Sequence, residues 1–171
     1  SAAAAAVAAD ASAPGSPVID AVWALQRLEV SLARRDLARI STAVPEHAAP
    51  AGLADALGDE VARIREEIGT PGELQSGLAE EPPPGVALLA LRATETLLPI
   101  LTRRSDAYDV RLTGAGRQVE VAVTCEGADP DEFPDADTDA VAAAIAGAGG
   151  TLSFDRTDDG RVRAWLRCGI V

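Results

Sequence analysis

The chain contains no lysine, so its 15 Lys-or-Arg positions are all arginine, and it also contains no asparagine and no methionine. The absence of lysine excludes a P-loop, which needs a lysine for the nucleotide phosphates. Against the arginines stand 27 acidic residues, which give a formal net charge of −12 at pH 7. Because the charge is negative and no basic cluster interrupts it, we expect no nucleic-acid partner and no membrane contact.

Aromatic residues make up only 3% of the chain, so alanine, leucine, valine and isoleucine must form the core. The two cysteines, Cys125 and Cys168, lack metal-ligand spacing, which favours reduced thiols and a cytoplasmic location. No apolar run reaches the length of a transmembrane helix. Because the chain has no methionine of its own, we expect it to be part of a larger protein. Its alanine- and arginine-rich composition favours an actinobacterial source.

Three regions differ in composition. Residues 1–17 predict a flexible linker, residues 18–48 a dimerisation-type helix (18–44) with a turn, and residues 49–171 a domain. Apolar residues at heptad spacing form a heptad seam along the helix: Ile19, Trp23, Val30, Ala33, Leu37, Ile40 and Val44. Such a seam favours pairing with the same helix of a second copy, which would make a homodimer. An ordinary core helix packed on the chain's own domain explains the pattern equally well.

The domain alternates between helical and strand patterns. Apolar residues at helical spacing predict three helices, and period-two alternation around glycine-containing turns predicts two hairpins. In chain order we expect helix 53–68, an edge strand 73–78, helix 86–103, the hairpin 108–124, helix 138–147 and the hairpin 151–168. Helices on one side of a sheet make an α+β fold, here a two-layer α/β sandwich preceded by the long N-terminal helix.

Four segments occur in an order that is typical of one family. GLADAL (52–57) opens a helix after a proline-bounded turn, and LLALRATETLLPILTRR (88–104) forms a long helix. VEVAVTCEGADPDEF (119–133) gives a strand and a loop, and AAIAGAGGTLSFDRTDDGRVRAWLRC (143–168) a helix and a hairpin. Over residues 34–171 this order resembles the ATPase domain of bacterial sensor histidine kinases of the nitrate-sensor class, in the GHKL superfamily. The resemblance implies a Bergerat-type sandwich with a site for ATP and Mg²⁺.

The resemblance also shows which ligand positions have changed. The family carries a glutamate and, four residues on, a Mg²⁺-ligating asparagine; here Glu95 is kept, but Pro99 replaces the asparagine. Proline supplies no ligand, and we expect it to disrupt helix 86–103 at that turn. In the glycine box, Cys125 takes the place of an adenine-binding aspartate, Gly127 keeps the first glycine, and Asp129 replaces the second. The family's second glycine-rich segment is missing. These departures imply that ATP binding is lost, so that only vestigial site positions remain, with no catalytic residue, no metal and no cofactor.

The sequence therefore predicts a histidine-kinase-type pseudokinase, a signalling module that acts through protein–protein contacts in a larger bacterial regulator. An active ATP-binding domain with atypical motifs and an anti-sigma-like binding protein of the same superfamily are the alternatives. We further expect the loop 126–137 or helix 138–147 to pack onto helix 86–103 and fill the old site. If the strands that end at Cys125 and Cys168 are parallel neighbours, the two sulfurs approach each other; otherwise both thiols are core packers.

Overall fold

A computed structural model describes residues 16–35 and 52–169. The described helices are α1 (Pro17–Arg35), α2 (Leu53–Glu67), α3 (Pro84–Thr102) and α4 (Ala136–Ala146), and a 3-10 turn spans Pro130–Glu132. The described strands are β1 (Gly72–Leu78), β2 (Ala107–Ala115), β3 (Gln118–Glu126), β4 (Thr151–Arg156) and β5 (Val162–Gly169). Each element predicted for the domain is therefore present, with ends that differ by a few residues.

The five strands form one mixed sheet in the order β1-β2-β3-β5-β4. The β1 strand pairs with β2 in parallel, and all other neighbours are antiparallel. The two predicted hairpins are confirmed as β2–β3 and β4–β5. Gly116 and Gly160 lie in their turns with positive φ, a conformation that glycine adopts without steric cost.

Period-two alternation divides the sheet into an apolar and a polar face. On β3 the residues Val119, Val121 and Val123 are buried beneath the helices, whereas Glu120 lies on the other face and pairs with Arg167 of β5. Helices α2, α3 and α4 cover the apolar face, and α3 lies between the other two. The sheet and these three helices form the predicted two layers because only one face of the sheet is apolar.

Helix α3 is the centre of the fold. It is long and apolar enough to cross a membrane by length and composition, but 67% of that stretch is buried inside the protein. Its hydropathy is explained by contacts on several sides, with α1, α2, α4 and the sheet. We predicted that Pro99 disrupts this helix, and that prediction is wrong: α3 continues to Thr102 with Pro99 inside it. Tertiary packing holds the last turn although Pro99 has no N–H to donate.

Helix α1 forms a further layer on top of α3 and α4. Ala21 and Leu25 are 3% and 1% exposed and belong to the core, and Leu28 packs against it. The side of α1 that carries Ala21 and Leu25 therefore packs on the chain's own domain. Trp23 and Val30 of the heptad seam are 55% and 46% exposed.

The rest of the heptad seam is only partly within the described structure. Ile19 is half-buried. Leu37, Ile40, Val44 and the predicted continuation of the helix to residue 44 lie outside the described residues, as does the side chain of Ala33. The homodimer predicted from the seam therefore stays a prediction.

The two cysteines lie at opposite ends of the sheet. Strands β3 and β5 are neighbours but antiparallel, and Cys168 is opposite Val119 whereas Cys125 is opposite Val162. Six residues of β3 therefore separate the two thiols along the strand, about 20 Å at 3.3–3.4 Å per residue. The approach of the sulfurs that we considered for parallel strands does not occur, and both thiols are buried and free.

Candidate functional site

Glu95 and Pro99, the two predicted site positions on α3, lie one turn apart on the same side of the helix. Both are half-buried, in contrast to the fully buried residues Leu97 and Leu98 between them. The Glu95 carboxylate accepts a hydrogen bond of 2.9 Å from Arg92 one turn earlier. Pro99 offers no side-chain ligand, so this side of α3 carries a single carboxylate that is already paired.

The electrostatic neighbours of Glu95 come from three helices. Burial raises the pKa of Glu95; Arg92 opposes this effect, and the carboxylates of Glu60 and Glu29 reinforce it. Glu60 is itself buried and is held by two hydrogen bonds from Arg63. Glu95 is therefore paired with Arg92 and is affected by the carboxylates of Glu60 and Glu29. A Mg²⁺ site for ATP would instead need oxygen ligands that are free to coordinate the metal.

Cys125 ends β3 with its side chain among the buried core residues of the helix side. Its exposed fraction is 0%, and burial raises the pKa of the thiol to about 11, although Ser105 acts against this as a hydrogen-bonding neighbour. Ser105 follows α3 and donates its hydroxyl to the Leu101 carbonyl. At pH 7 the thiol is neutral, so it does not supply the charged acceptor that an aspartate would offer to an adenine amino group.

Gly127 adopts φ +78°, and the carboxylate of Asp106 lies directly against it, where any side chain at position 127 would have to be. The Asp106 N–H donates to the Glu126 carbonyl and fixes this approach. Asp106 was not predicted as a site residue, although the register of the predicted hairpin, in which Ala107 pairs with Glu126, places it opposite Gly127 when extended by one pair. It is the acid that the fold brings next to the retained glycine.

The loop after Gly127 is closed by its own side chains. Asp129 accepts a hydrogen bond from the Asp131 N–H and caps the 3-10 turn, so it has a local structural role. Phe133 is 7% exposed, and its ring stacks on Phe154 of β4 with 5.8 Å between centroids. The guanidinium of Arg104 lies over the Phe133 ring, 5.4 Å from its centroid. The loop is thereby fixed between the end of α3 and β4.

The N-terminus of α4 is satisfied within the chain. Asp135 and Thr138 form a capping box, with two hydrogen bonds of 2.8 Å, and Arg104 binds the same carboxylate at 2.8 Å. Partial burial alone would raise the pKa of Asp135, but the hydrogen bonds from Thr138 and the Arg104 guanidinium lower it. The positive end of the helix therefore faces a carboxylate of its own chain, where an anion-binding site would present free N–H groups.

Helix α1 lies across the surface between α3 and α4, which we name the α3–α4 groove. Val18 near its start is 3.9 Å from the position of a Cβ on Gly85 at the start of α3. Eleven residues later, Glu29 is close enough to Glu95 to affect its pKa. The two helices therefore run in the same direction, with Ala21 and Leu25 between these two points. The buried position of Leu25 was not predicted, since the heptad pattern favoured the opposite side of α1.

Two cavities lie elsewhere on the protein. One of about 720 Å³ lies at the end of the sheet beside Thr113, Arg167 and Cys168, and one of about 270 Å³ lies beside Arg65 and Tyr108. None of Glu95, Pro99, Cys125, Gly127 and Asp129 lines either of them. In residues 16–35 and 52–169, no group of three His, Cys, Asp or Glu side chains is arranged to hold a metal ion.

No family model matches the sequence, and no curated protein matches it. Several solved structures match this chain. The blue-light-activated histidine kinase of Erythrobacter litoralis matches with a TM-score of 0.53 at 16% identity, over 91% of this chain and 53% of that chain. The catalytic domain of histidine kinase ThkA matches with 0.54 at 9% identity, over 69% and 92%, and the Acinetobacter baumannii histidine kinase AdeS with 0.50 at 14%, over 87% and 76%.

These similarities establish the fold. The mixed sheet with its helices is the fold of histidine kinase ATPase domains, in agreement with the fold that the sequence motifs implied. This chain spans about half the length of the Erythrobacter kinase chain that it matches. At such low identities, the match shows only how the helices and strands are arranged, and any chemistry has to be argued from the residues of this chain.

Proposed function

We propose that this chain is a degenerate histidine-kinase-type ATPase domain that does not bind ATP with Mg²⁺ and acts as a signalling module through protein contacts. The observation that carries the proposal is the packing of α1 over the α3–α4 groove, with Leu25 only 1% exposed. The resemblance places the nucleotide between α3 and the loop and helix that follow β3. In this fold α1 contacts α3 and α4, Phe133 of that loop stacks on Phe154, and the first turn of α4 is capped by Asp135.

The chemistry of the vestigial positions supports the same proposal. ATP with Mg²⁺ needs hard oxygen ligands for the metal and a hydrogen-bond acceptor for the adenine amino group. Pro99 supplies no ligand, Cys125 is a buried neutral thiol, and Asp129 caps a turn of its own loop. Glu95 keeps the family's carboxylate but is paired with Arg92 and faces further carboxylates.

Protein contacts are the function that two exposed features support. Trp23 and Val30 leave an apolar stripe on α1 whose heptad spacing matches a helix of its own kind, so we assign it to a second copy of this chain. Asp129, Asp131 and Glu132 are exposed on the loop after β3 and favour a basic protein partner. The proposal includes a cytoplasmic location within a larger bacterial regulator, without nucleic-acid or membrane contact.

Calorimetric titration with ATP and Mg²⁺, together with the melting temperature at each ATP concentration, tests the proposal. We expect no saturable heat and no shift at millimolar ATP. A ligand present at 100 times its Kd would stabilise the fold by about 2.7 kcal/mol, which for this chain length raises Tm by roughly 5–10 °C. Saturation at tens of micromolar would contradict the proposal and favour an active ATP-binding domain with atypical motifs.

A matched pair of variants makes that outcome interpretable. If ATP binds, Asp106→Asn removes the charge of the carboxylate that lies against Gly127, whereas Glu66→Gln removes an exposed acid of α2. Loss of binding in the first variant alone would identify Asp106 as the adenine acceptor of an active site. Absence of binding in the wild-type chain supports the degenerate domain.

A further inference from the structure

The polar face of the sheet carries three rows of side chains that run across all five strands. The strand register defines a middle row of Gln75, Arg111, Ala122, Trp165 and Ser153. On one side of it lies the row of Glu73, Asp109, Thr124, Arg163 and Asp155, and on the other side the row of Gly77, Thr113, Glu120, Arg167 and Thr151. Because side chains alternate along each strand, all three rows lie on the face away from α2, α3 and α4.

The middle row carries one positive charge and no acid. Arg111 is exposed, and it forms no ion pair within the described part of the chain. Trp165 lies two strand spacings away, about 9.5 Å between Cα atoms. Ala122 lies between them and is 5% exposed. A partner on this face therefore meets a cation and an indole with a small residue between them.

Trp165 is held in place by the neighbouring row. Its indole N–H donates to Asp155 at 3.1 Å, and the same carboxylate accepts two hydrogen bonds from Arg163, at 2.9 and 2.6 Å. The Arg163 guanidinium lies 4.6 Å from the centroid of the Trp165 ring. The indole is therefore preorganised, which lowers the entropic cost of binding. Tryptophan and arginine are also enriched at the residues that dominate binding energy in protein interfaces.

The acids of the two flanking rows are mostly paired on the face itself. Besides the pair that holds the indole, Glu120 accepts a hydrogen bond of 2.6 Å from Arg167, and the Asp109 carboxylate lies 3.8 Å from the Arg161 guanidinium. Glu73 is the remaining acid of the three rows and lies on the edge strand β1. The pairing leaves the cation of the middle row uncompensated, so the centre of this face attracts a negative charge although the chain as a whole is acidic.

The cavity of about 720 Å³ adjoins this face at one end of the sheet. Its lining includes four members of the row beside the middle row, which are Thr113, Glu120, Arg167 and Thr151. A volume of this size is within the range of about 300–1,000 Å³ that is usual for ligand pockets. The cavity therefore has room for a side chain of a partner that lies across the middle row.

We propose that the polar face of the sheet is a docking surface for an acidic segment of a partner protein. Arg111 binds a carboxylate of the segment, an adjacent side chain packs on Trp165, and a further side chain enters the cavity. A nucleic acid fits less well, because its continuous phosphates would meet the carboxylates of both flanking rows. The inference rests on the proposed role in protein contacts but not on the loss of ATP binding, so the two can fail separately.

Fluorescence anisotropy of a labelled decapeptide of alternating Glu and Leu tests the surface, with a decapeptide of Gln and Leu as the matched probe. At low salt we expect saturable binding of the acidic peptide, with a Kd of about 0.1 mM, and no saturation with the Gln peptide. Arg111→Gln should weaken binding about threefold or more, and Arg111→Lys should restore most of it. Trp165→Ser should weaken it about fivefold or more. The control Arg27→Gln removes an exposed arginine of α1 and should leave the Kd unchanged.

Tryptophan emission provides the second measurement. The chain has two tryptophans, so Trp23→Phe leaves Trp165 as the single reporter on this face. We expect the acidic peptide to change its emission with the Kd found by anisotropy. Absence of saturable binding, equal effects of Arg111→Gln and Arg27→Gln, or unchanged Trp165 emission would overturn the proposal. Tighter binding of a labelled oligothymidylate than of the acidic peptide would also overturn it, because the partner would then be a nucleic acid.

Discussion

Replacing Leu25 by alanine tests whether α1 is held to the domain by its buried side. The change removes three carbon atoms from a side chain that is 1% exposed. At about 0.8 kcal/mol for each buried carbon group this amounts to about 2.4 kcal/mol before any cavity term. Measured Leu→Ala changes in cores cost about 2–5 kcal/mol. Because α1 is an outer layer that can settle onto α3 and α4, we expect the lower part of that range, about 2–3 kcal/mol.

The matched control is Val30→Ala on the opposite side of the same helix. Val30 is 46% exposed, and alanine has the higher helix propensity, so we expect a change within about 0.5 kcal/mol. In urea unfolding the two variants should differ by about 2 kcal/mol, and in thermal unfolding by roughly 4–8 °C. The loss in global stability has an upper limit, which is the free energy by which α1 is docked.

Hydrogen exchange shows whether that limit has been reached. If Leu25→Ala releases α1 before the core unfolds, the missing stability appears as faster exchange of the α1 amides with unchanged exchange in β3 and β5. The reasoning is refuted if Leu25→Ala and Val30→Ala agree within about 0.5 kcal/mol and also show equal exchange of α1. Such a result would mean that the buried side of α1 does not hold it in place.

Three further predictions concern the loop, the α4 cap and assembly. Phe133→Ala should cost about 3–5 kcal/mol in urea unfolding because it removes a buried ring stacked on Phe154; a loss below about 1 kcal/mol would show that the loop is not packed into the core. Asp135→Asn keeps a capping side chain but removes the charge. Since the pKa of Asp135 is lowered on folding, its charge stabilises the protein above about pH 4, and this contribution disappears as the pH falls through the lowered value. We expect the variant to be about 1 kcal/mol less stable at pH 6 and equal to wild type near pH 2, and an equal deficit at both pH values would contradict this. Light scattering should show a dimer for the wild-type chain and a monomer for Trp23→Ser, whereas Arg117→Ser in the β2–β3 turn should leave the mass unchanged; a wild-type monomer would remove the self-pairing from the proposal.

The elements of the domain were predictable because their signals are local. The valines of β3 alternate strictly, and glycines in the turns fix both hairpins, so the strands and their neighbours follow from short stretches of sequence. The direction of β5 relative to β3 could not be predicted from short stretches of sequence. Cys125 and Cys168 each end a strand, and only the antiparallel register of the sheet places them at opposite ends.

The side of α1 that is buried was harder to predict because the helix is apolar on two sides. Trp23 and Val30 fit a heptad, but Leu25 and Ala21 are the residues that the domain buries. Periodicity identifies an apolar surface and does not identify its partner. The environment of Gly127 was missed for another reason: Asp106 is 21 positions away, and it is found only when the predicted β2–β3 hairpin is extended one pair beyond Ala107 and Glu126.

Pro99 shows a different limit of sequence reasoning. Proline in a helix interior removes one backbone hydrogen bond, which predicted a break. Contacts of α3 with α1, α2, α4 and the sheet keep the helix continuous to Thr102. Local propensity gave the wrong result because the segment is the most enclosed helix of the fold.

We propose that the region between α3 and the loop after β3 does not bind ATP with Mg²⁺. The most direct measurement follows the backbone amide resonances of the ¹⁵N-labelled chain during a titration to millimolar ATP and Mg²⁺. Glu95, Cys125 and Gly127 are the reporters, and amides on the polar face of the sheet serve as the reference. We predict no saturable shift at the three reporters. Saturable shifts confined to them, with a Kd of tens of micromolar, would contradict the account.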